Sequence, residues 1–359
     1  MNSSVRPYRD RRTALLIAGV LEILLGVGAW LLIGLMILGA SMVAAQGAGN
    51  KGSMIPGMAV YGIAGLVFVI LGIGSIRARR WARALWLVVS SFWLICGVFT
   101  VAVMAWFMPS ALAGAAPAGQ QPPPGVQSIL WIAILSIVAV FMIGLPASLL
   151  AFYRSPHVKA TCEATAPEPC WTDGCPLPVL GAALWFASMT LTLPWMGWVY
   201  GGLYPFFGHF VRGAAGHGLW MVSGLLCGIA TYGIYRRIHT PWLLGLLLVL
   251  GQGISATVTY AVVDPKELFA AMGTEAAAVE QIERMGMLRP SFMIGFVSAG
   301  ILPMVGLLLW ARACFPKRST EPAVQPPPDD RPDAAHVTTS LRWPNKPGAP
   351  LNATATCLS

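Results

Sequence analysis

Residues 84–108 read ALWLVVSSFWLICGVFTVAVMAWFM, a stretch without a charged side chain. The uncharged run continues from there to Tyr153. About 20 helical residues cross the hydrocarbon core of a bilayer. Because the backbone must satisfy its own hydrogen bonds there, a helix is the expected spanning element. The stretch therefore predicts a transmembrane helix.

Seven further apolar segments of similar length flank this one. The predicted spans are 13–45, 57–76, 84–108, 129–153, 178–200, 214–235, 241–263 and 291–313. Charged residues make up 10% of the chain, against about a quarter in soluble domains. The first span is about twice as long as the core of a signal peptide, which favours an uncleaved helix. We therefore predict an all-α integral membrane protein with about eight transmembrane helices.

The basic residues predict how these helices are oriented. Of the 23 lysines and arginines, 18 fall in the two terminal segments and the even-numbered loops, and five fall in the odd-numbered loops. The side rich in lysine and arginine is usually cytoplasmic. We therefore predict that the protein lies in the inner (plasma) membrane of a cell and that both of its termini are cytoplasmic. The net charge of +9 comes from these basic residues, which form short clusters (basic collars) at the ends of the helices. It therefore does not indicate nucleic-acid binding.

The two halves of the chain resemble copies of one unit. Three landmarks recur after 156 or 157 residues: Arg79-Arg80 with Arg236-Arg237, Leu145-Pro146 with Leu302-Pro303, and Met108-Pro109 with Asp264-Pro265. A unit of four spans keeps its orientation when it is repeated, so the pattern predicts a parallel 4+4 repeat. The first proline pair predicts helix kinks at equivalent depths. The second pair predicts the ends of spans three and seven.

The repeat and the loops divide the chain into five parts. Residues 1–12 form the amino-terminal segment, 13–153 the first four-helix unit, 154–177 a cytoplasmic linker and 178–315 the second unit. The segment 316–359, with QPPPDDRPD and PNKPGAP, lacks apolar periodicity and is predicted to be a disordered cytoplasmic tail.

The linker contains the candidate metal ligands His157, Cys162 and Cys175, together with Cys170. A cytoplasmic location is reducing, so a structural disulfide is not expected. The cysteine spacing does not match the paired knuckles of structural zinc sites. We therefore predict a connecting segment, with a metal site as the weaker alternative.

Two parts of the linker, SPHVKATCE (155–163) and WTDGCPLPVL (171–180), resemble a segment of uncharacterised bacterial multi-pass membrane proteins. The resemblance is clearest over residues 153–185. It implies a bacterial inner-membrane protein in which Cys162 and Cys175 belong to the motif and Cys170 is additional. It brings no activity, substrate or cofactor.

Glu22 is the acidic residue that lies inside a predicted span. It follows Arg12 by ten positions, about 15 Å along a helix, which places it near mid-membrane. Ala18, Gly19, Gly26 and Ala29 share its helical face, so a neighbouring helix can approach closely. The amide of Gln252 is the hydrogen-bond partner we expect. Glu22 is interpreted as a polar clasp between helices, with cation binding or proton relay as the alternative.

The last outer loop carries an apolar stripe, formed by Leu268, Met272, Val279, Ile282 and Met285. It predicts an amphipathic helix on the outer leaflet or over the bundle, with a lid over a ligand cavity as the alternative. The equivalent loop of the first half, at 110–127, is rich in proline and is predicted to be irregular. Aromatic residues at the outer end of span five indicate an interfacial belt rather than a haem or quinone pocket, so no cofactor is predicted.

The sequence lacks the motifs of common membrane enzymes, including H-E-x-x-H, G-x-S-x-G and the phosphate-binding loop. We therefore predict a structural, regulatory or assembly role through helix packing. The alternatives are a small-solute or ion transporter with a cavity between the repeats and, least favoured, an enzyme acting on a lipid-phase substrate. The predicted partner is the lipid bilayer, and other membrane proteins or a second copy stay open as further partners.

Overall fold

The computed structural model describes residues 9–45, 55–115, 123–271, 274, 276–284 and 288–315. Eight of the described helices are long and apolar enough to cross a membrane, and each overlaps one predicted span. The helical multi-pass prediction is therefore confirmed. The predicted disordered tail lies outside the described residues, as do residues 1–8 of the amino-terminal segment.

The elements follow one another along the chain as follows. They are α1 (Arg12–Ala45), α2 (Ile55–Ile76), α3 (Arg80–Ala115), α4 (Pro124–Ala139), a π-helical segment (Val140–Gly144), α5 (Leu145–Arg154), α6 (Pro156–Thr165), α7 (Leu177–Val199), β1 (Tyr204–Phe206), β2 (His209–Val211), α8 (Gly213–Tyr235), α9 (His239–Val262), α10 (Pro265–Ala271), α11 (Ala276–Arg284) and α12 (Pro290–Arg312). The fourth span consists of α4, the π-helical segment and α5.

The prolines shape the two halves differently. Helix α3 continues through Pro109 to Ala115, so the prediction that Pro109 ends this helix is wrong. Helix α9 ends at Val262, before Pro265, as predicted. Pro146 follows the π-helical segment and lies in the first turn of α5, where its missing N–H costs no hydrogen bond of that helix. Pro303 lies inside the continuous helix α12.

Helices α1 and α2 touch through glycines at two levels. A Cβ atom on Gly19 would lie 2.6 Å from the carbonyl oxygen of Gly72, and one on Gly26 would lie 2.7 Å from that of Gly65. The reverse contacts are equally short. Glycine is therefore required on both helices, because any side chain would separate the backbones. The small face predicted around Glu22 packs against α2.

The two halves meet along an apolar seam. Helix α3 of the first half supplies Val88 and Phe92, which face Gly181 on α7, beside Leu307 on α12. Further along α3, the rings of Phe99 and Phe296 lie 5.8 Å apart between their centroids. The contacts that Val88, Phe92 and Phe99 make across the seam are therefore between hydrocarbon groups.

A short antiparallel hairpin, β1–β2, adds strands to the predicted all-α fold. Tyr204 pairs with Val211, and Phe206 pairs with His209. The turn of the hairpin donates to hydroxyl groups of α9: the Phe207 N–H donates to Ser255 Oγ over 3.0 Å, and the Gly208 N–H donates to Thr259 Oγ1 over 3.1 Å. Non-helical backbone next to membrane helices is stable when protein groups satisfy it in this way.

We predict that Gly26→Ala weakens the protein, whereas Gly28→Ala does not. A methyl group on Gly26 would meet the backbone of α2, but one on Gly28 would have nothing within 4 Å. Overpacking of this kind costs about 1–3 kcal/mol, while alanine at an open helical position is intrinsically favourable. Thermal unfolding in one detergent would compare the variants. Equal melting temperatures would contradict the proposed backbone contact.

Candidate functional site

The carboxyl group of Glu22 lies inside the first half and is fully buried, with 0% of its surface exposed. Tyr153, also at 0%, donates its hydroxyl proton to Glu22 Oε1 over 2.5 Å. These residues come from α1 and α5, which are 131 positions apart. The bond therefore joins the first and fourth spans of the unit.

Ser75 extends this contact into a chain of three polar groups. Its hydroxyl lies 2.7 Å from the hydroxyl of Tyr153, and either oxygen can donate. When Tyr153 donates to Glu22, Ser75 donates to Tyr153. The chain then points toward the carboxyl group and links α2 to α1 and α5.

Trp86 of α3 completes the walls of this group, which we name the Glu22 cluster (Glu22, Ser75, Trp86 and Tyr153). Its indole ring stacks on Tyr153, with centroids 6.0 Å apart, and on Phe68 at 5.6 Å. Stacked rings of this kind contribute about 0.5–1.5 kcal/mol beyond their burial. The stack keeps the plane of Tyr153 parallel to that of Trp86.

Two buried atoms of the Glu22 cluster have no hydrogen-bond partner among the described residues. They are Glu22 Oε2 and Trp86 Nε1. The side chains of Ser75 and Trp86 also interact with the carboxyl group. A buried acceptor and a buried donor are therefore close to each other and unsatisfied, which is uncommon in folded proteins.

The partners of Glu22 show where its carboxyl group lies in the bundle. Ser75 is the penultimate residue of α2 and Tyr153 the penultimate residue of α5, so both partners lie at the ends of their spans. Helical side chains lean toward the amino terminus of their helix, which carries the carboxyl group of Glu22 in the same direction. The Glu22 cluster therefore lies near the ends of α2 and α5 that adjoin the linker.

The linker covers the Glu22 cluster on that side. Val158 and Cys162 of α6 are buried in the same apolar core as Tyr153 and Trp86. Arg83 donates from Nε to the carbonyl oxygen of Tyr153 over 3.0 Å. The amino-terminal segment reinforces the cover, since the Arg11 N–H donates to Thr161 Oγ1 over 3.1 Å.

Arginines of both halves hold the linker. Arg80 donates to the carbonyl oxygens of Glu163 and Pro167 and pairs with the carboxylate of Asp173 at 3.3 Å. Arg237 donates to the carbonyl oxygen of Gly174. These arginines belong to the basic collars, which therefore also fix the linker to the bundle.

The cysteines of the linker do not come together. Cys162 lies in the apolar core of the first half, and Cys175 lies in that of the second half. Both are free thiols. The third, Cys170, is disulfide-bonded, so the expectation that the linker carries no disulfide is wrong for this residue.

The metal candidates are not arranged as a metal site. His157 accepts the backbone N–H of Arg9 at Nδ1 over 3.3 Å, while Cys162 and Cys175 lie in separate cores. Among the described residues, no group of three or more metal-binding side chains occurs.

Gln252 does not meet Glu22, so the predicted pairing is wrong. Its side-chain amide donates to the hydroxyl of Tyr204 and to Ser223 Oγ, the latter over 3.1 Å. These residues belong to β1 and α8 in the second half. The hairpin places Tyr204 next to Gln252. This contact could not be predicted from the sequence, because the hairpin itself was not predicted.

The outer loop forms two helices, α10 and α11, instead of one. An ion pair joins them, with 2.7 Å between Lys266 Nζ and Glu283 Oε1. Of the predicted apolar stripe, Leu268 is buried, Val279 and Ile282 are half-buried, and Met272 and Met285 lie outside the described residues. Helix α11 is thus amphipathic, because Glu280 and Glu283 are exposed while Val279 and Ile282 are half-buried.

No known protein family, curated protein or solved structure matches this chain. The resemblance of the linker motif to bacterial multi-pass membrane proteins therefore stays a prediction.

We predict that Cys162 resists alkylation in the folded protein. Burial raises the pKa of the Cys162 thiol to about 11, although the nearby guanidinium of Arg83 opposes the shift. The thiolate is the reactive form, and at pH 8 it would make up roughly a thousandth of this thiol, against about a quarter of an ordinary one. The reactive fraction increases as the pH approaches 11. A variant with Cys162 as its one cysteine should react with a maleimide at pH 8 only after denaturation in SDS.

The matched control is Lys159→Cys in a protein without other cysteines. Lys159 lies on the same helix, and its side chain is 57% exposed. It should react fully in the folded protein. Equal labelling of the two folded variants would contradict the burial of Cys162.

Proposed function

We propose that this chain acts in the membrane through helix packing, in a structural, regulatory or assembly role. The observation that carries the proposal is the complete burial of Glu22 and its hydrogen bond to Tyr153. A solute carrier needs polar groups on a path open to water. The carboxyl group of Glu22 instead lies between small residues, aromatic rings and the linker helix, which favours a clasp.

The distribution of the polar groups supports the same choice. The Glu22 cluster belongs to α1, α2, α3 and α5, whereas Gln252 belongs to a separate group with Tyr204 and Ser223. Between these groups lies the apolar seam of α3 against α7 and α12. A transporter of the kind considered from the sequence would place polar residues along that seam.

We also propose that the two halves are a parallel 4+4 repeat. The turns after α2 and α8 support it. Ala78 and Arg237 both have a positive φ, 48° and 57°. Their neighbours repeat the same backbone bonds, from the Arg79 N–H to the Gly74 carbonyl and from the Ile238 N–H to the Gly233 carbonyl. The equivalent residues are 159 apart, close to the 157 of the sequence pattern.

A bacterial inner membrane with both termini in the cytoplasm stays the proposed location. Its support is the distribution of lysine and arginine, 18 against five.

We predict that the purified protein, reconstituted in sealed lipid vesicles, carries no flux driven by a pH gradient. A pH-sensitive dye inside the vesicles would report the internal pH for wild type and for Glu22→Gln, and empty vesicles would give the baseline. Both proteins should match the baseline, because the carboxyl group is completely buried among the described residues.

The control variant is Glu163→Gln, which removes a carboxylate from the exposed face of α6. A flux that is present in wild type and in this control but absent in Glu22→Gln would contradict the packing role and favour transport.

A further inference from the structure

Glu22 combines complete burial with a carboxyl oxygen that has no hydrogen bond, and no cation pairs with it among the described residues. A carboxylate that stays ionised inside a protein usually accepts several hydrogen bonds or lies next to a cation. Here Tyr153 supplies one hydrogen bond to Oε1, and Oε2 has no partner. Among the described residues, none of the three ion pairs involves Glu22.

The charged and titratable groups around the carboxyl group do not compensate for a negative charge. Helix α5 contributes Tyr153, α2 contributes the hydroxyl of Ser75, and α6 contributes Cys162, which lies next to Tyr153. Helix α3 contributes Trp86 and Arg83. The guanidinium of Arg83 binds the backbone carbonyl of Tyr153, at the opposite end of this residue from its hydroxyl.

We propose that Glu22 is a proton-binding site and that the Glu22 cluster is closed around the neutral carboxylic acid. This inference rests on the proposed packing role and specifies the ligand of its central residue. The proton is bound on Oε1, which faces Tyr153. Oε2 is then the carbonyl oxygen of the acid, and it has no hydrogen-bond partner among the described residues.

The hydroxyl chain accommodates the proton without movement of its heavy atoms. A phenolic oxygen is both donor and acceptor, and either hydroxyl can donate in the contact of Ser75 with Tyr153. When Glu22 is protonated, it donates to Tyr153, and Tyr153 donates to Ser75. When the proton leaves, both bonds reverse, and Tyr153 donates to the carboxylate.

The chemistry of the cluster selects a proton over a metal cation. Hard cations require a shell of several oxygen ligands. Ser75 and Tyr153 supply two hydroxyl oxygens that already bond to each other, and Trp86 presents an N–H group, which repels a cation. A proton requires a single oxygen.

Infrared difference spectroscopy tests the proposal. The sample is the full-length protein in a detergent without ester groups, and the signal is the C=O stretch of a protonated carboxyl group at pH 7. The other acidic residues lie outside the predicted spans, and loss of the band in one variant identifies the carboxyl group that produces it. Wild type and the exposed control Glu163→Gln should both show one such band, and Glu22→Gln should lose it.

Tyr153→Phe provides a second measurement that does not depend on the folding of Glu22→Gln. Removal of the phenol leaves the carboxyl O–H without its acceptor, so the C=O band should move to higher wavenumber. A wild-type spectrum without a protonated carboxyl band at pH 7 would overturn the proposal, as would a band that both variants leave unchanged. These outcomes are independent of vesicle flux, so the proton site and the packing role can fail separately.

Discussion

A carboxyl group buried among membrane helices imposes the constraint on which the first half of this protein depends. Its desolvation is costly unless protein groups compensate for it. Glu22 meets this condition through Tyr153, which α5 presents from its last turn while it packs against α3. The glycine contacts between α1 and α2, the stacking of Trp86 and the cover of α6 all place groups around this one hydrogen bond.

The second half satisfies its polar groups in another way. Its hydroxyls on α9 bind the backbone of a hairpin that enters from the loop between α7 and α8. Gln252 binds Tyr204 of the same hairpin. Each half thus contains its own polar group, and the halves contact each other through hydrocarbon side chains along α3. This separation is why the architecture favours packing over passage of a solute between the halves.

The sequence predicted the eight spans because hydrophobic length is a direct consequence of bilayer thickness. It also predicted that Glu22 faces another helix across small residues, since Gly19 and Gly26 lie on its face. It did not predict Tyr153 as the partner. A tyrosine at the end of a span is typical of the membrane interface, and the contact depends on where α5 packs in the bundle, which hydropathy does not encode. The hairpin was missed for a related reason, because its strands of three residues have no detectable alternation.

The expected pairing of Glu22 with Gln252 rested on equal depth in the membrane, which does not specify neighbours. Side-chain direction adds to this, because it carries the carboxyl group toward the linker. Pro109 shows a further limit. A proline predicts the loss of one backbone hydrogen bond, but whether a helix continues past it depends on the surrounding contacts, and α3 continues to Ala115.

The most direct measurement is a double-mutant cycle on the free energy of unfolding with Glu22→Met and Tyr153→Phe, singly and together. Both substitutions preserve size and remove one side of the hydrogen bond. A buried bond of this kind predicts a coupling free energy of at least about 1 kcal/mol. Additive effects, with a coupling indistinguishable from zero, would contradict the claim that this bond joins α1 to α5.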